Sequence, residues 1–425
     1  MVRSVRFING DVMLQLIIGA QWDLVRRIKM KECNFVQRSC PVCNRESNAA
    51  LVHEQEFAVI ESVTFLEGYK VVCCNYCGAV YADNIPPQSD FENYYSEQSK
   101  YENISAIDFG VRENYADLLY RALSKNGSVN MDSAVLDIGC GLGGFLYVLK
   151  KRGFRNLEGI DPSLFCVEHI VNEYDIRCSQ GAVSTLDNYV KDRKELFDVI
   201  ILTGVLEHLV NVYETCKNVS KLLRSGGVFF VTVPCVSFFN PLLNGPYQEF
   251  SVEHINYFHL ESLLNLMGMH GFELILMDSS RADGIADFVF RKTNKKREII
   301  KELQSLAFIK SYIASSESLD SQIHKLITAA QSESKVVVWG TGTLTMRLLA
   351  AGILDTSKIE AFVDSNKHYI GGSFKGVPVI SPKQVKAYSL PILISSFVWN
   401  DSIMQVITEE LKLKNKVISL TQDMV

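Results

Sequence analysis

The chain has no uninterrupted apolar run that reaches the roughly 18 residues a membrane span needs, so no spanning helix is expected in its 425 residues. It has no basic excess: 43 Lys and Arg stand against 48 Asp and Glu, for a net charge of −5. A general nucleic-acid binder carries a basic face or stripe, so no nucleic-acid partner is expected. It also lacks an export signal. Val12 to Ala20 is apolar and follows Arg3 and Arg6, but Gln15 interrupts it, no A-x-A-like site follows, and Asp23, Arg26 and Arg27 come next. That stretch reads as a helix, and a cytoplasmic location is expected. Repeats and low-complexity tracts are absent too. What remains is ordinary globular composition, with 47% hydrophobic and 21% charged residues, enough for two or three domains of about 150 residues each.

Eleven cysteines in a chain with no export signal point to metal or catalysis before disulfides, because the cytosol keeps thiols reduced. Cys140, Cys166, Cys178, Cys216 and Cys235 are scattered in apolar surroundings and read as small core residues. The others cluster. Cys40-Pro-Val-Cys43 and Cys74-Asn-Tyr-Cys77-Gly78 form two CxxC pairs with thirty residues between them. Each CxxC turn presents two sulfurs to one metal, and four thiolates make a closed tetrahedral zinc site, structural in kind. Cys40, Cys43, Cys74 and Cys77 are the expected Zn2+ ligands, with Cys73 an adjacent competitor. Gly78 allows the left-handed backbone such a turn often needs, and the long gap leaves room for a hairpin.

The pattern divides the chain into an N-terminal extension (1–37), a zinc-binding module (38–83), a central domain (84–292), a charged helical linker (293–334) and a C-terminal domain (335–425). In the centre, apolar strands alternate with helical stretches: strands at Ala134–Asp137, Leu157–Ile160, Phe197–Leu202 and Val228–Val233, helices at Phe145–Lys151, Phe165–Tyr174 and Tyr213–Leu223, and a turn at Gly226-Gly227. That rhythm predicts α/β architecture, a doubly wound Rossmann-like sheet. It restarts at Val336–Trp339, with further strands at Ile359–Val363, Pro391–Ser395 and Val417–Leu420 and a helix at Ser402–Leu413, giving a second, smaller Rossmann-like domain.

The chemistry begins at Val135-Leu136-Asp137-Ile138-Gly139-Cys140-Gly141-Leu142-Gly143-Gly144. Glycines at a strand end let the backbone approach a ligand, and the next helix offers free N–H groups. Asp161 closes the following strand eighteen residues after Gly143, near the spacing of an acid that takes a ribose hydroxyl pair. An NAD site would order its glycines as G-x-G-x-x-G. The leading acid and the D-I-G-C-G-x-G order instead resemble motif I of class I methyltransferases. Phe197-Asp198-Val199-Ile200 and Leu222-Leu223-Arg224-Ser225-Gly226-Gly227 resemble later motifs of that family. The resemblance implies S-adenosylmethionine bound by Asp137, Gly139, Cys140, Gly141, Gly143, Asp161, Pro162 and Thr203.

Val205-Leu206-Glu207-His208 follows the strand Phe197–Leu202, on the sheet edge where such folds bind ligands. His208 there is read either as a catalytic participant or as a packing residue. Glu253-His254-Ile255-Asn256-Tyr257-Phe258 sets a carboxylate beside an imidazole, as suits a base near neutral pH. This stretch and the helix ending near Gly271-Phe272 resemble the sugar-nucleotide C-methyltransferases. So does the order of cysteine quartet, cofactor domain, E-H segment and C-terminal α/β domain. In the C-terminal domain the resemblance rests on Gly340-Thr341-Gly342, Val363-Asp364-Ser365-Asn366, Ser381-Pro382 and Trp399-Asn400. It implies a nucleotide-linked 4-keto-deoxysugar as small-molecule substrate. A base removes the proton on carbon 3 and the enolate takes the methyl group. His254 becomes the candidate base, Glu253 holds or polarises it, and His208 assists near the keto or hydroxyl oxygen.

Family members often carry a tyrosine two residues before the Glu, and here that position is Ser251. The Tyr-rich stretch at Tyr94, Tyr95 and Tyr101 is a possible source of the phenol. The departure keeps two rivals open: an O- or N-methyltransferase on a related glycan precursor, and a non-catalytic zinc-ribbon protein that senses nucleotides. For the C-terminal domain, a sugar-nucleotide cradle ranks ahead of a ligand-free structural domain, and NAD comes third.

Overall fold

The computed structural model describes residues 37–46, 48–60, 66–97, 107–125, 130–187, 189, 196–281, 284–293 and 295–421. Tyr101 and the helix expected around Val12–Ala20 lie outside them.

Three sheets are formed by the described residues. The central one has seven strands: β4 (Ala134–Ile138), β5 (Asn156–Asp161), β6 (Arg177–Gln180), β7 (Phe197–Thr203), β8 (Leu223–Pro234), β10 (Phe272–Asp278) and β11 (Ile285–Lys292), in the order β6-β5-β4-β7-β8-β11-β10. Strands β6 to β8 pair in parallel, while β11 runs antiparallel to both its neighbours. Alternate residues feed two cores. Val135 and Val199 pack with Tyr115 of helix α2 (Phe109–Ser124) and Phe145 of α3 (Gly144–Lys151) on one face. Leu136 and Ile200 pack with Cys216 of α5 (Val212–Leu222) and Leu263 of α6 (Leu260–Met269) on the other. Burial on both faces is why these strands read as continuous apolar runs. The order reverses between β4 and β7, which opens a crevice at their carboxyl ends. Helix α4 (Leu164–Tyr174) starts where Ser163 accepts a hydrogen bond from Cys166 N at 3.3 Å. The expected turn at Gly226-Gly227 is a loop-out within β8: Leu223 pairs with Phe197, and pairing resumes at Val228 with Val199.

The second sheet carries the cysteine pairs. Its strands are β1 (Ala49–Glu56), β2 (Gly68–Cys74), β3 (Val80–Asp83) and β9 (Asn256–Tyr257), in that order. β1 and β2 form the hairpin that the long gap predicts. The fourth strand comes from 170 residues downstream, inside the Glu253-His254 segment, and β9 pairs antiparallel with β3. Helix α1 (Gln88–Glu97) follows β3.

The third sheet runs β14-β15-β13-β12-β16-β17, from β12 (Val336–Trp339), β13 (Ile359–Val363), β14 (Ser373–Phe374), β15 (Val377–Ile380), β16 (Ile392–Ile394) and β17 (Val417–Ser419). Helix α8 (Thr343–Ala350) follows β12. The linker helix α7 (Gln304–Glu333) buries Ile309, Tyr312, Leu319, Ile323 and Ile327 in a core shared by the cysteine sheet and this third sheet. It starts later than its charge pattern predicts. Asn265 clamps Ile300 through Nδ2 to O (2.7 Å) and Ile300 N to Oδ1 (3.0 Å), and Glu302 N donates to Cys77 O at 3.1 Å. The backbone of 295–303 is therefore used outside a helix. The helix expected over Ser402–Leu413 is α9 (Asn400–Gln405) continuing as a π-helical turn, Val406–Glu410.

Candidate active site

The loop after β4 bends through Gly139, Gly141 and Gly143 at φ of 73°, 52° and 71°, a left-handed run that glycine adopts without strain. Gly141 N donates to Asp161 Oδ2 at 2.7 Å, and Ser163 N donates to Asp161 Oδ1 at 2.9 Å. The acid that ends β5 thus pins the glycine loop from below. Above the loop lies a cavity of about 450 Å³, the size of a small-molecule site. Asp137, Gly139, Cys140, Gly141, Asp161, Pro162 and Thr203 all line it. Gly143 does not; a Cβ there would meet Ile170 at 2.6 Å, so this glycine lets α4 pack closely against the loop. Asp137 is buried and its Oδ1 has no hydrogen-bond partner among the described residues. Burial pushes its carboxyl up to about 7, with Arg112 opposing and Asp161 adding to the shift. A buried, unpartnered acceptor beside a glycine loop fits a cofactor with polar groups to donate.

The two histidines meet at the far wall. His208 sits in the 3₁₀ turn after β7, and His254 precedes β9. Their rings are 4.9 Å apart, edge to face, and both line the cavity. Hydrogen bonds lock the segments together: Ile255 N donates to Glu207 O at 2.8 Å, and the Asn256 side chain donates through Nδ2 to Leu206 O (2.7 Å) and Leu209 O (2.8 Å). Asn256 Oδ1 in turn accepts from Arg38 of the cysteine sheet at 2.6 Å. His208 Nδ1 lies 3.0 Å from both Tyr95 Oη and Glu253 O. Glu253 lies outside the cavity lining; its carboxylate Oε1 accepts from Tyr94 at 3.0 Å. Ser251 uses its hydroxyl to accept from Glu253 N (3.3 Å) and His254 N (3.0 Å), shaping the turn that presents His254. The phenols next to the histidine pair therefore arrive from α1, as Tyr94 and Tyr95.

Sequence reasoning passes over Glu207 as a group in its own right. It is buried, lines the cavity, and its Oε2 has no hydrogen-bond partner among the described residues. Burial pushes its carboxyl up to about 8. The signal is its place in Leu206-Glu207-His208, one residue before a histidine at a ligand-binding sheet edge. Arg112 of the lining is missed as well, since it stands on a helix before the glycine loop.

At the other end of the cysteine sheet, Cys40, Cys43, Cys74 and Cys77 gather with their sulfurs all within 4.8 Å. Cys40 Sγ lies 3.6 Å from Cys77 Sγ, and Cys43 Sγ 3.8 Å from Cys74 Sγ. A tetrahedron with Zn–S bonds of about 2.3 Å has sulfur–sulfur edges of about 3.8 Å, so the donor set fits zinc. Strand alternation turns Cys73 to the opposite face, with its thiol 3.4 Å from Gly78 O, which removes it as a competitor. Gly78 has φ of 86°, and a Cβ there would overlap the backbone of Glu302. In the third sheet the glycine-turn pattern repeats: Thr341 N donates to Asp364 Oδ2 at 3.0 Å and Asn366 N to Oδ1 at 2.8 Å.

With this geometry in view, the family described as "Methyltransferase domain" matches residues 110–276. The chain carries a class I S-adenosylmethionine-dependent methyltransferase domain. A second family, described as "C2185-like, N-terminal", matches residues 332–418. Among curated relatives, the methyltransferase-bearing chain is 24% identical over 283 residues to the C-methyltransferase NovU of Streptomyces niveus, covering 63% of this chain and 66% of that one. It is 29% identical over 140 residues to a probable (S)-tetrahydroprotoberberine N-methyltransferase of Papaver bracteatum, covering 32% and 37%. The match to each thus spans less than two thirds of the relative's own length. Among solved structures, the magnesium protoporphyrin IX methyltransferase of Synechocystis with bound S-adenosylhomocysteine covers 48% of this chain and 99% of its own, at 13% identity and a TM-score of 0.38. Among the described residues no helix is long and apolar enough to cross a membrane.

Proposed function

We propose that the chain transfers the methyl group of S-adenosylmethionine to a carbon of a nucleotide-linked keto-deoxysugar. The observation that carries this reading is the pair of imidazoles, His208 and His254, at 4.9 Å on the wall of the cofactor cavity. A heteroatom acceptor needs little more than proximity; a carbon acceptor needs a base for a C–H bond and support for the resulting oxyanion. The similarity to a C-methyltransferase and the E-H segment support the same choice.

Bound S-adenosylmethionine supplies an electrophilic methyl group. The chain's residues do the rest. Asp161 and the glycine loop fix the cofactor end of the cavity, with Asp161 receiving the ribose hydroxyls and Asp137, Pro162 and Thr203 beside it. His254 takes the proton from the carbon next to the ketone. Glu253, held by Tyr94, keeps His254 oriented through the turn at Ser251, and His208 lies by the substrate oxygen. Zn2+ at the four cysteines is structural: it holds the sheet whose last strand, β9, begins two residues after His254. The C-terminal domain serves as the sugar-nucleotide cradle, and the five segments expected from sequence act as a unit.

The test is product analysis. The protein is incubated with S-adenosylmethionine labelled with ¹³C in the methyl group and a panel of nucleotide-linked 4-keto-6-deoxysugars. A labelled methyl on carbon in the NMR spectrum is the expected result. A labelled methyl on oxygen or nitrogen overturns the carbon acceptor and installs the heteroatom reading.

A further inference from the structure

We propose that Glu207 acts as a neutral carboxylic acid that donates a hydrogen bond to the oxyanion formed on the substrate, a catalytic role distinct from the proton transfer at His254. The proposal rests on the C-methyl reading above.

The argument is geometric. Glu207 is 3% exposed, its Oε2 has no partner among the described residues, and it lines the same cavity as His208 and His254. Its Oε1 is 4.0 Å from His208 Nε2, too far for a hydrogen bond. Arg112 also lines the cavity, but among the described residues it forms no ion pair with Glu207. An ionised carboxylate here would face only the His208 imidazole, 4.0 Å away and charged only when it is itself protonated, so burial favours the protonated acid. The protonated form carries an O–H with no acceptor of its own. A substrate oxygen entering beside His254 provides one. The upward push to about 8, caused by burial, agrees with this state at neutral pH. The other titratable groups facing the cavity are Asp137, Asp161, Arg112 and Glu92 across it, and His208, His254 and Tyr95 on its own side, with Cys140 in the glycine loop.

The step balances within the site. His254 takes the proton from the carbon beside the ketone. The C–H electron pair becomes the carbon–carbon double bond, and the carbonyl pair moves to oxygen. Glu207 holds that oxyanion through its O–H without giving up the proton. As the carbon bonds to the methyl group, the C=O reforms and the C–S pair stays on sulfur. Neutral acids in apolar pockets are known to hold enolate oxygens in this way.

Two measurements on the full chain test it. Infrared difference spectra between wild type and Glu207→Gln at pH 7 are expected to show one protonated carboxyl band lost in the variant. Deuterium exchange into nucleotide-linked 4-keto-6-deoxysugars, without S-adenosylmethionine, then reads the role. Wild-type exchange is expected to fall above about pH 8 as Glu207 ionises. Glu207→Gln, which keeps a donor, should retain activity within about tenfold and lose that alkaline limb. Glu207→Ala should lose about 10²-fold or more, as removal of an oxyanion donor does. Exchange by wild type with no such infrared band overturns the proposal and leaves the C-methyl reading standing. So does a divalent metal, beyond the cysteine-bound one, that disappears in Glu207→Gln, or a Gln variant altered only in cofactor affinity. No exchange by wild type with any sugar removes the C-methyl reading and this proposal with it.

Discussion

His254 and Asp161 occupy opposite ends of one cavity, and the account gives them separable failures. His254→Ala should lower methyl transfer by about 10²- to 10⁴-fold, the usual worth of a positioned base, with cofactor affinity measured by calorimetry unchanged. Full activity in that variant would remove His254 as the base. Asp161→Ala should act first on cofactor affinity. Its carboxylate accepts from Gly141 N and Ser163 N, and bonds to a charged group contribute about 1.5–3 kcal/mol each, so a rise in Kd of about 10- to 100-fold is expected. Glu207 and Asp137 predict a pH effect on stability. Burial raises their folded pKa values to about 8 and about 7, above the ordinary carboxylate range. The folded state therefore holds protons that the unfolded chain releases near pH 4, and stability is lost as pH rises from about 4.5 to 8. The cofactor-free protein should melt at higher temperature at pH 6 than at pH 8, and Glu207→Gln should narrow that gap. An unchanged gap would show that Glu207 is ionised in the fold. Asp161 is legible in the sequence because strand length and glycine spacing fix it. Glu207 is not, because its burial depends on how the Leu206–His208 turn meets the Glu253–Tyr257 segment.

At the scale of elements, the two-residue strand β9 ties the cysteine sheet to the catalytic turn. It pairs with β3, and its Asn256 joins Arg38 to the carbonyls of Leu206 and Leu209. If zinc holds the quartet, a strong chelator should abolish methyl transfer without touching the chemistry directly, while cofactor binding at the glycine loop persists. Metal analysis should find one zinc per chain, lost when Cys40, Cys43, Cys74 and Cys77 are changed to Ser. Unaltered zinc content in that variant would contradict the assignment. The CxxC spacing and the hairpin between the pairs are legible in sequence, since each turn needs its own residues close at hand. The fourth strand is not: β9 is short, and its partner lies more than 170 residues upstream, so no local periodicity announces it. The late start of α7 is hidden for a similar reason, because the clamps from Asn265 and Cys77 are remote.

For the whole molecule, two of the sheets share one device. A glycine turn with its following acid appears at Gly141–Asp161 and again at Thr341–Asp364, each with the acid accepting two backbone N–H groups. The alternating strands and helices make both α/β units legible, because parallel strands buried on both faces leave continuous apolar runs. How the units meet is carried by α7, whose buried stripe packs in one core with both outer sheets, and by bonds between residues far apart in sequence, such as Ala58 N to Met346 O at 2.9 Å. The central claim is that this assembly makes an enolate on carbon. Its most direct measurement is solvent exchange by mass spectrometry: the full chain in heavy water with nucleotide-linked 4-keto-6-deoxysugars and no S-adenosylmethionine. Incorporation of one deuterium beside the ketone, abolished in His254→Ala, is the predicted result. No exchange with any sugar, while S-adenosylmethionine is still consumed with a glycan precursor, would contradict it and mark the acceptor as a heteroatom.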